Sequence, residues 1–168
     1  LQKATKGIRL QSLITLCAGS GIGKSTVTKE IAYHLLHRNQ TVGVIALEES
    51  VRESIRSILG IAISKKLNDE DVRKEIKPKD IQKAYDDFNT RLYFYDHFGS
   101  LNGNDILANI RYLAVACKCK YIILDHITIV LSGLDGDDRK NLDVTVTKLR
   151  SLCQELNIAI IMVSHLKR

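Results

Sequence analysis

Short apolar runs alternate along the chain with longer segments in which apolar residues recur at helical spacing. Runs of this kind, rich in β-branched and aliphatic residues, are typical of buried strands in a parallel sheet. We expect strands at 13–17, 41–47, 91–95, 121–125 and 158–163. Because amphipathic helical segments separate these strands, the pattern predicts an α/β fold: a mostly parallel sheet with helices on both faces.

The segments between the strands have apolar residues three and four positions apart, which form one face of a helix. The predicted helices cover 25–37, 51–60, 81–88, 106–117 and 142–156. Asn104 or Asp105 is the predicted N-cap of the fourth of these helices. Residues 64–80 are highly charged and contain the only proline, Pro78, so they predict a mobile connection with about one helical turn. A loop rich in glycine and aspartate is expected at 132–138.

The length of 168 residues fits one domain, and we expect residues 1–168 to form it. No apolar run in the sequence reaches the ~20 residues of a membrane-spanning helix, and the N-terminus lacks a signal-peptide pattern. A soluble, intracellular protein without a membrane partner is therefore expected. The chain begins without Met and stops at SHLKR, directly after an apolar strand. We expect it to be truncated from a longer polypeptide on the C-terminal side and on the N-terminal side.

Charge and cysteine content narrow the function only slightly. The net charge of +6 is compatible with a nucleic-acid partner, although many soluble domains carry such a charge without one. The four cysteines lack the paired CxxC spacing of a zinc site. Cys17 falls in an apolar strand, and Cys117 and Cys153 fall on apolar faces of predicted helices. These positions predict buried free thiols in a reducing compartment.

The segment AGSGIGKST, at 18–26, joins the first predicted strand to the first predicted helix. Its glycines let backbone N–H groups turn towards one point, where the helix adds its positive end. Lys24 can reach the β- and γ-phosphates of a nucleotide, and the Ser25 hydroxyl can bind Mg²⁺. The strict G-x-x-x-x-G-K-[ST] motif has glycine where this chain has Ala18. The predicted nucleotide-binding residues are Gly19, Ser20, Gly21, Gly23, Lys24, Ser25 and Thr26.

Acidic residues end two of the other predicted strands. Asp125 closes strand 121–125, where a carboxylate can hold magnesium through water. Glu48 and Glu49 follow at the end of strand 41–47, and a carboxylate there can activate the water that attacks a γ-phosphate. We assign Glu48 as this base and Glu49 as a capping or supporting residue. The alternative is that both are ordinary acids at a helix N-terminus, stabilised by the helix dipole.

Two histidines follow predicted strands. His165, in the segment SHL after the fifth strand, can donate from its imidazole to a γ-phosphate oxygen and is the predicted sensor of that phosphate. His126 comes directly after Asp125 and is expected to support packing or the loop.

Several segments together resemble a known family: GSGIGKST, VGVIALEES, YIILDHITIVLSG, DDRKNLDVTVTKLR and VSHLK. Spread over nearly the whole chain and in the same order, they resemble the ring-forming, DnaB-like replicative DNA helicases with a RecA-like core. The likeness is strongest to the helicase half of the short-tailed-phage primase–helicases and to the mitochondrial helicase Twinkle. The resemblance implies a RecA-like P-loop NTPase core, with the fifth strand between the first and the fourth. It also implies a homo-oligomeric ring, usually a hexamer, with nucleotide at subunit boundaries.

The resemblance also implies roles for residues, cofactors and partners. The implied catalytic residues are Lys24, Glu48 and His165, and the implied magnesium residues are Ser25 and Asp125. Arg139, in the loop 131–139, and Lys167 match positions that touch single-stranded DNA. The implied cofactors are ATP or a dNTP, dTTP among them, with Mg²⁺. Further implied partners are replication proteins such as polymerase or primase, and the arginine finger is expected beyond the end of this chain. The compartment would be the cytoplasm of a phage-infected cell, a nucleoid or the mitochondrial matrix.

Three other functions compete with a helicase. A recombinase of the same superfamily more often has a polar amide at the sensor position, so the LEES and SHLK segments favour the helicase. A nucleotide or small-molecule kinase needs an arginine-bearing lid and an acid that binds the acceptor, and neither is clear in the sequence. A nucleotide-dependent interaction module without hydrolysis has no need of Glu48 and Asp125.

Overall fold

The structure is a computed structural model that describes residues 7–19, 21–96, 103–127 and 138–165. Its strands are β1 (Ser12–Ala18), β2 (Val42–Ala46), β3 (Leu92–Tyr95), β4 (Tyr121–Asp125) and β5 (Ala159–His165). Its helices are α1 (Lys24–His37), α2 (Val51–Ile63), α3 (Glu70–Lys74), α4 (Pro78–Asp86), α5 (Gly103–Val115) and α6 (Asp138–Leu156).

The strands form one sheet in the order β1-β5-β4-β2-β3, and every pairing is parallel. The predicted parallel sheet is confirmed, as is the position of β5 between β1 and β4. Ala18 pairs with His165 at the end of β1 and β5, and Ala46 pairs with Asp125 at the end of β2 and β4. The carboxyl ends of these strands therefore lie along one edge, where ligands bind in sheets of this type.

Helices cover both faces of the sheet, because successive residues of each strand point to opposite sides. On one face, α5 and α6 pack against side chains of the central strands. Buried residues of this layer include Ile45, Ile106, Ile110, Ile122, Leu124 and Leu149. On the other face, α1, α2 and α4 do the same. Its buried residues include Ala32, Leu36, Val44, Ile58, Phe88 and Ile123. The prediction of helices on both faces is confirmed.

The segment 64–80, predicted as a mobile connection with about one helical turn, contains the single expected turn as the five-residue helix α3, and it also contains the start of α4, which was not expected. The Asp69 side chain caps α3 by accepting from the N–H groups of Asp71 and Val72, at 3.0 and 3.4 Å. Pro78 stands at the first position of α4, where its missing N–H is not needed. The charged residues and the proline, which are typical of a loop, lie here at the first turns of two helices.

Other helix ends also differ from the predictions. α2 continues past Gly60 to Ile63, and α5 begins at Gly103. Asn104 and Asp105 consequently lie inside the first turn of α5, so neither is its N-cap. The predicted loop at 132–138 lies outside the described residues up to 137, and position 138 is the first residue of α6.

The expectation of buried thiols holds for two of the cysteines. Cys119 and Cys153 are buried and Cys117 is half-buried, but Cys17 is exposed. β1 is an edge strand of the described sheet, and Thr15 and Cys17, alternate residues on one side of it, are both exposed. Among the described helices, none combines the length and the apolar composition needed to cross a bilayer.

Candidate functional site

The loop between β1 and α1 forms the first part of the site. Gly21 and Gly23 have φ of 77° and 85°, in the left-handed region that glycine adopts without strain. Gly23 is the N-cap of α1, and it provides no side chain to bond the first N–H groups of the helix. Within the described residues, the first turn of α1 contains no acidic side chain. This helix start therefore suits an anion such as a phosphate.

Lys24 is held inside this loop by main-chain oxygens. Its Nζ donates to the carbonyl of Ala18 at 3.0 Å and to the carbonyl of Gly19. An ammonium group has three N–H donors, so this position is compatible with a further bond to a phosphate oxygen. Ser25 is half-buried in the first turn of α1 and Thr26 is exposed, while Ser20 lies outside the described residues.

Asp125 ends β4 with its side chain buried, at 8 % exposure. Its Oδ1 is inaccessible to solvent and has no hydrogen-bond partner among the described residues. Burying a carboxylate oxygen without a partner is costly, and a bound cation offsets that cost. Mg²⁺ is usually bound through one or two carboxylates together with phosphates and water. The residues present at this edge therefore fit a magnesium ion.

Glu48 and His126 meet beyond the ends of the adjacent strands β2 and β4. His126 Nε2 and Glu48 Oε1 are 2.6 Å apart. His126 is buried, whereas the Glu48 side chain is 49 % exposed. The N–H of Leu47 donates to the Asp125 carbonyl at 2.7 Å and continues the strand ladder past Ala46. A carboxylate open to water is thus tied to the segment that carries Asp125.

Glu49 points to a different set of partners. Its Oε2 forms an ion pair with Lys29 of α1 at 2.6 Å, and its Oε1 accepts from the hydroxyl of Ser54 in α2. The N-cap of α2 is Ser50, whose side chain accepts from the N–H of Glu53 at 3.2 Å. Glu49 is therefore not the capping residue, and it links α1 to α2 instead.

The other predicted site residues are described only by their place in the chain. His165 is the last residue of β5 and pairs with Ala18, next to the glycine loop. Its side chain and that of Arg139, the second residue of α6, lie outside what is described. Lys167 falls outside the described residues altogether. The structure thus brings together the loop around Lys24 and the ends of β2, β4 and β5 on one edge.

Sequence reasoning missed the contacts of His126, Lys29 and Ser54. The bond between Glu48 and His126 depends on β2 and β4 being neighbours in register, which local patterns do not encode. Because Glu48 lies two residues after β2 and His126 one residue after β4, a correct strand order would have predicted that they lie close. Lys29 and Ser54 had no distinguishing sequence signal.

Comparisons with known proteins agree with this geometry. The family model described as "DnaB-like helicase C terminal domain" matches residues 1–168. The DNA helicase/primase of Enterobacteria phage T3 is 31 % identical over 173 residues, covering 99 % of this chain and 31 % of that protein. A probable plasmid replicative DNA helicase of Chlamydia trachomatis is 27 % identical over 171 residues, covering 97 % of this chain and 37 % of that protein. This chain therefore spans about a third of the length of these relatives.

Solved structures show the same fold. A DnaB-like replicative helicase, solved in work on its interactions with primase, gives a TM-score of 0.81 at 17 % identity, covering 98 % of this chain and 41 % of that chain. A second solved structure, described as an ATPase domain, gives 0.78 at 15 % identity, covering 98 % and 60 %. The KaiC-like protein PH0186 of Pyrococcus horikoshii OT3 gives 0.68 at 19 % identity, covering 95 % and 63 %.

Proposed function

Since this chain belongs to the family of DnaB-like helicase C-terminal domains, we propose that it is the nucleotide-hydrolysing motor domain of a replicative DNA helicase. Hydrolysis of ATP or a dNTP, dTTP among them, drives translocation along single-stranded DNA and unwinding of the duplex. The domain acts in a homo-oligomeric ring, usually a hexamer, beside replication proteins such as polymerase or primase. It works inside the cell, in a phage-infected cytoplasm, a nucleoid or the mitochondrial matrix.

One observation carries the proposal: three groups with different roles lie along the same edge of the sheet. The glycine loop with Lys24 follows β1, Asp125 ends β4, and Glu48 comes shortly after β2. A phosphate cradle, a buried carboxylate and a water-accessible carboxylate are the groups that nucleotide hydrolysis requires. A domain that only bound nucleotide would not need the third group.

The chain's residues act on the γ-phosphate as follows. The N–H groups at the start of α1 and the Lys24 ammonium bind the β- and γ-phosphate oxygens. Ser25 and Asp125 would hold magnesium, which would supply positive charge to neutralise part of the phosphate charge. Glu48 accepts a proton from water while the water oxygen bonds to the γ-phosphorus. The bond from that phosphorus to the bridging oxygen breaks, and the nucleoside diphosphate leaves.

Further residues detect the γ-phosphate or bind DNA, and a neighbouring subunit adds to the site. His165, at the end of β5, contacts a γ-phosphate oxygen and responds to its loss. Arg139 and Lys167 bind the backbone phosphates of single-stranded DNA, which gives a contribution that is independent of sequence and weakens with salt. An arginine finger outside this chain would raise the rate by ~10³ or more.

The decisive test replaces Glu48 with glutamine in the full-length protein. Glutamine keeps the size of the side chain but cannot take a proton from water, so nucleotide binding should stay nearly intact. Hydrolysis stimulated by single-stranded DNA should fall by about 10²- to 10⁴-fold, the usual contribution of a general base. Nucleotide binding is measured by fluorescence titration and hydrolysis by phosphate release.

The matched control is Glu30→Gln, the same substitution at an exposed position of α1, which should keep wild-type activity. Full activity of Glu48→Gln would exclude this residue as the base, and loss of activity in Glu49→Gln would then move the role to the neighbouring carboxylate. Hydrolysis that does not respond to single-stranded DNA would argue against a motor and favour a kinase or signalling function.

A further inference from the structure

His126 is buried at the site, but its side chain neither binds the phosphates nor takes a proton in the proposed hydrolysis. Its Nε2 lies 2.6 Å from Glu48 Oε1, and an ionised carboxylate can only accept, so the imidazole N–H donates. We propose that His126 is a positioning residue that holds the Glu48 carboxylate in the orientation needed to activate water. This inference rests on the proposed role of Glu48 as the base.

The two partners differ in how firmly the fold holds them. Glu48 is half-exposed, and a glutamate side chain with several rotatable bonds loses rotamer entropy when it is held in one orientation. His126 is buried, at 6 % exposure, so packing holds the ring. A hydrogen bond from this ring to Oε1 restricts the orientations that the carboxylate can adopt before any substrate arrives. Holding a catalytic group in its productive orientation in this way raises its effectiveness, because the cost of orienting it is met before the reaction.

The main chain adds a second tie to the same segment. Leu47, directly before Glu48, donates its N–H to the carbonyl of Asp125, directly before His126. Glu48 is therefore linked to the β4 end twice, once through its backbone neighbour and once through its side chain. Because Asp125 is the proposed magnesium residue, both ties fix the base relative to the phosphate that the ion would hold.

If His126 only filled space, the hydrogen-bond donor itself would be dispensable. His126→Gln and His126→Met separate the two roles, because their side chains are similar in length and volume. Glutamine can present an amide N–H near the position of Nε2, whereas methionine offers no donor. A packing role predicts equal activity of the two variants, and a positioning role predicts that only methionine is impaired.

The experiment measures steady-state hydrolysis of ATP by the full-length protein with saturating single-stranded DNA. His126→Met should lower kcat by about 10- to 100-fold, the order of loss expected from a misplaced catalytic group, with KM for ATP changed less than about twofold. His126→Gln should recover most of that loss. His34→Phe, an exposed histidine of α1, is the control and should behave as wild type.

The same variants in a Glu48→Gln background separate this inference from the proposed function. If His126 acts through Glu48, then His126→Met should reduce the residual rate little further. An equal loss in both backgrounds, or equal kcat for the methionine and glutamine variants, would overturn the positioning role while leaving Glu48 as the base. Wild-type activity of Glu48→Gln alone would exclude Glu48 as the base and overturn this inference with it, whereas the motor function itself would be overturned only by hydrolysis that does not respond to single-stranded DNA.

Discussion

The ion pair between Lys29 and Glu49 should contribute measurably to stability, because it is largely shielded from water. The side chains are 15 % and 26 % exposed, their charged atoms are 2.6 Å apart, and the Ser54 hydroxyl donates to the same carboxylate. Two unit charges ~4 Å apart attract by about 4 kcal/mol at an effective dielectric constant of 20. Desolvation and side-chain entropy offset much of this attraction. We expect a coupling free energy of about 1–3 kcal/mol.

A second ion pair provides the comparison. Arg111 and Glu155 connect α5 to α6 through two parallel hydrogen bonds, one of them 3.0 Å long, which is the better hydrogen-bond geometry. Their side chains are 50 % and 54 % exposed, so water and salt screen the attraction. If burial rather than geometry sets the strength of an ion pair in this fold, the Lys29–Glu49 pair is the stronger of the two.

Double-mutant cycles in urea, followed by circular dichroism, test this comparison. Lys29→Met and Glu49→Gln should each lower the free energy of unfolding by about 2 kcal/mol, or roughly 4–8 °C in Tm, and the double variant should be little worse. The cycle with Arg111→Met and Glu155→Gln should show a smaller coupling. A coupling at Lys29–Glu49 no larger than at Arg111–Glu155 would refute the reasoning.

Two further predictions concern single titratable groups. Burial, followed by the nearby Cys117, raises the pKa of the Cys119 thiol to about 12, so iodoacetamide at ~pH 8 should label Cys17 rapidly and Cys119 hardly at all. Rapid labelling of Cys119 in the native protein, read by mass spectrometry, would contradict its burial. Hydrogen bonds from Ser50 lower the pKa of Glu53, so its contribution to stability is present above the unfolded pKa and lost as the pH falls through the folded value. The urea midpoint of Glu53→Gln should therefore lie below that of the wild type at neutral pH and approach it below ~pH 4; a pH-independent difference would exclude this linkage.

Much of the fold was predictable because the physical signals are local. Buried parallel strands are continuous apolar runs, and the residues of β4 and β5 show this directly. The predicted RecA-like fold is confirmed by the solved structures, and the resemblance to the DnaB-like helicases is confirmed by the family match. The exposure of Cys17 was not predictable, because an apolar run does not reveal whether its strand lies at the edge or in the middle of the sheet. The bounds of α3 were not predictable, because the Asp69 cap rather than an apolar face marks where this helix begins.

How well the candidate site could be predicted also depends on whether its residues are close together in the sequence. The glycine loop around Lys24 is one continuous segment, so its conformation and its role could be predicted together. The bond between Glu48 and His126 joins residues 78 positions apart in the sequence, and only the pairing of β2 with β4 brings them together. The roles of His165, Arg139 and Lys167 stay predictions.

The hydrogen bond from the Leu47 N–H to the Asp125 carbonyl has a consequence for how this domain can change over evolutionary time. It involves no side-chain atom, so mutations that alter the chemistry of either residue leave it in place; at position 47, proline alone among the standard residues would remove it. Selection can therefore change the reactive side chains at this edge of the sheet while the main-chain bond that aligns β2 and β4 stays in place.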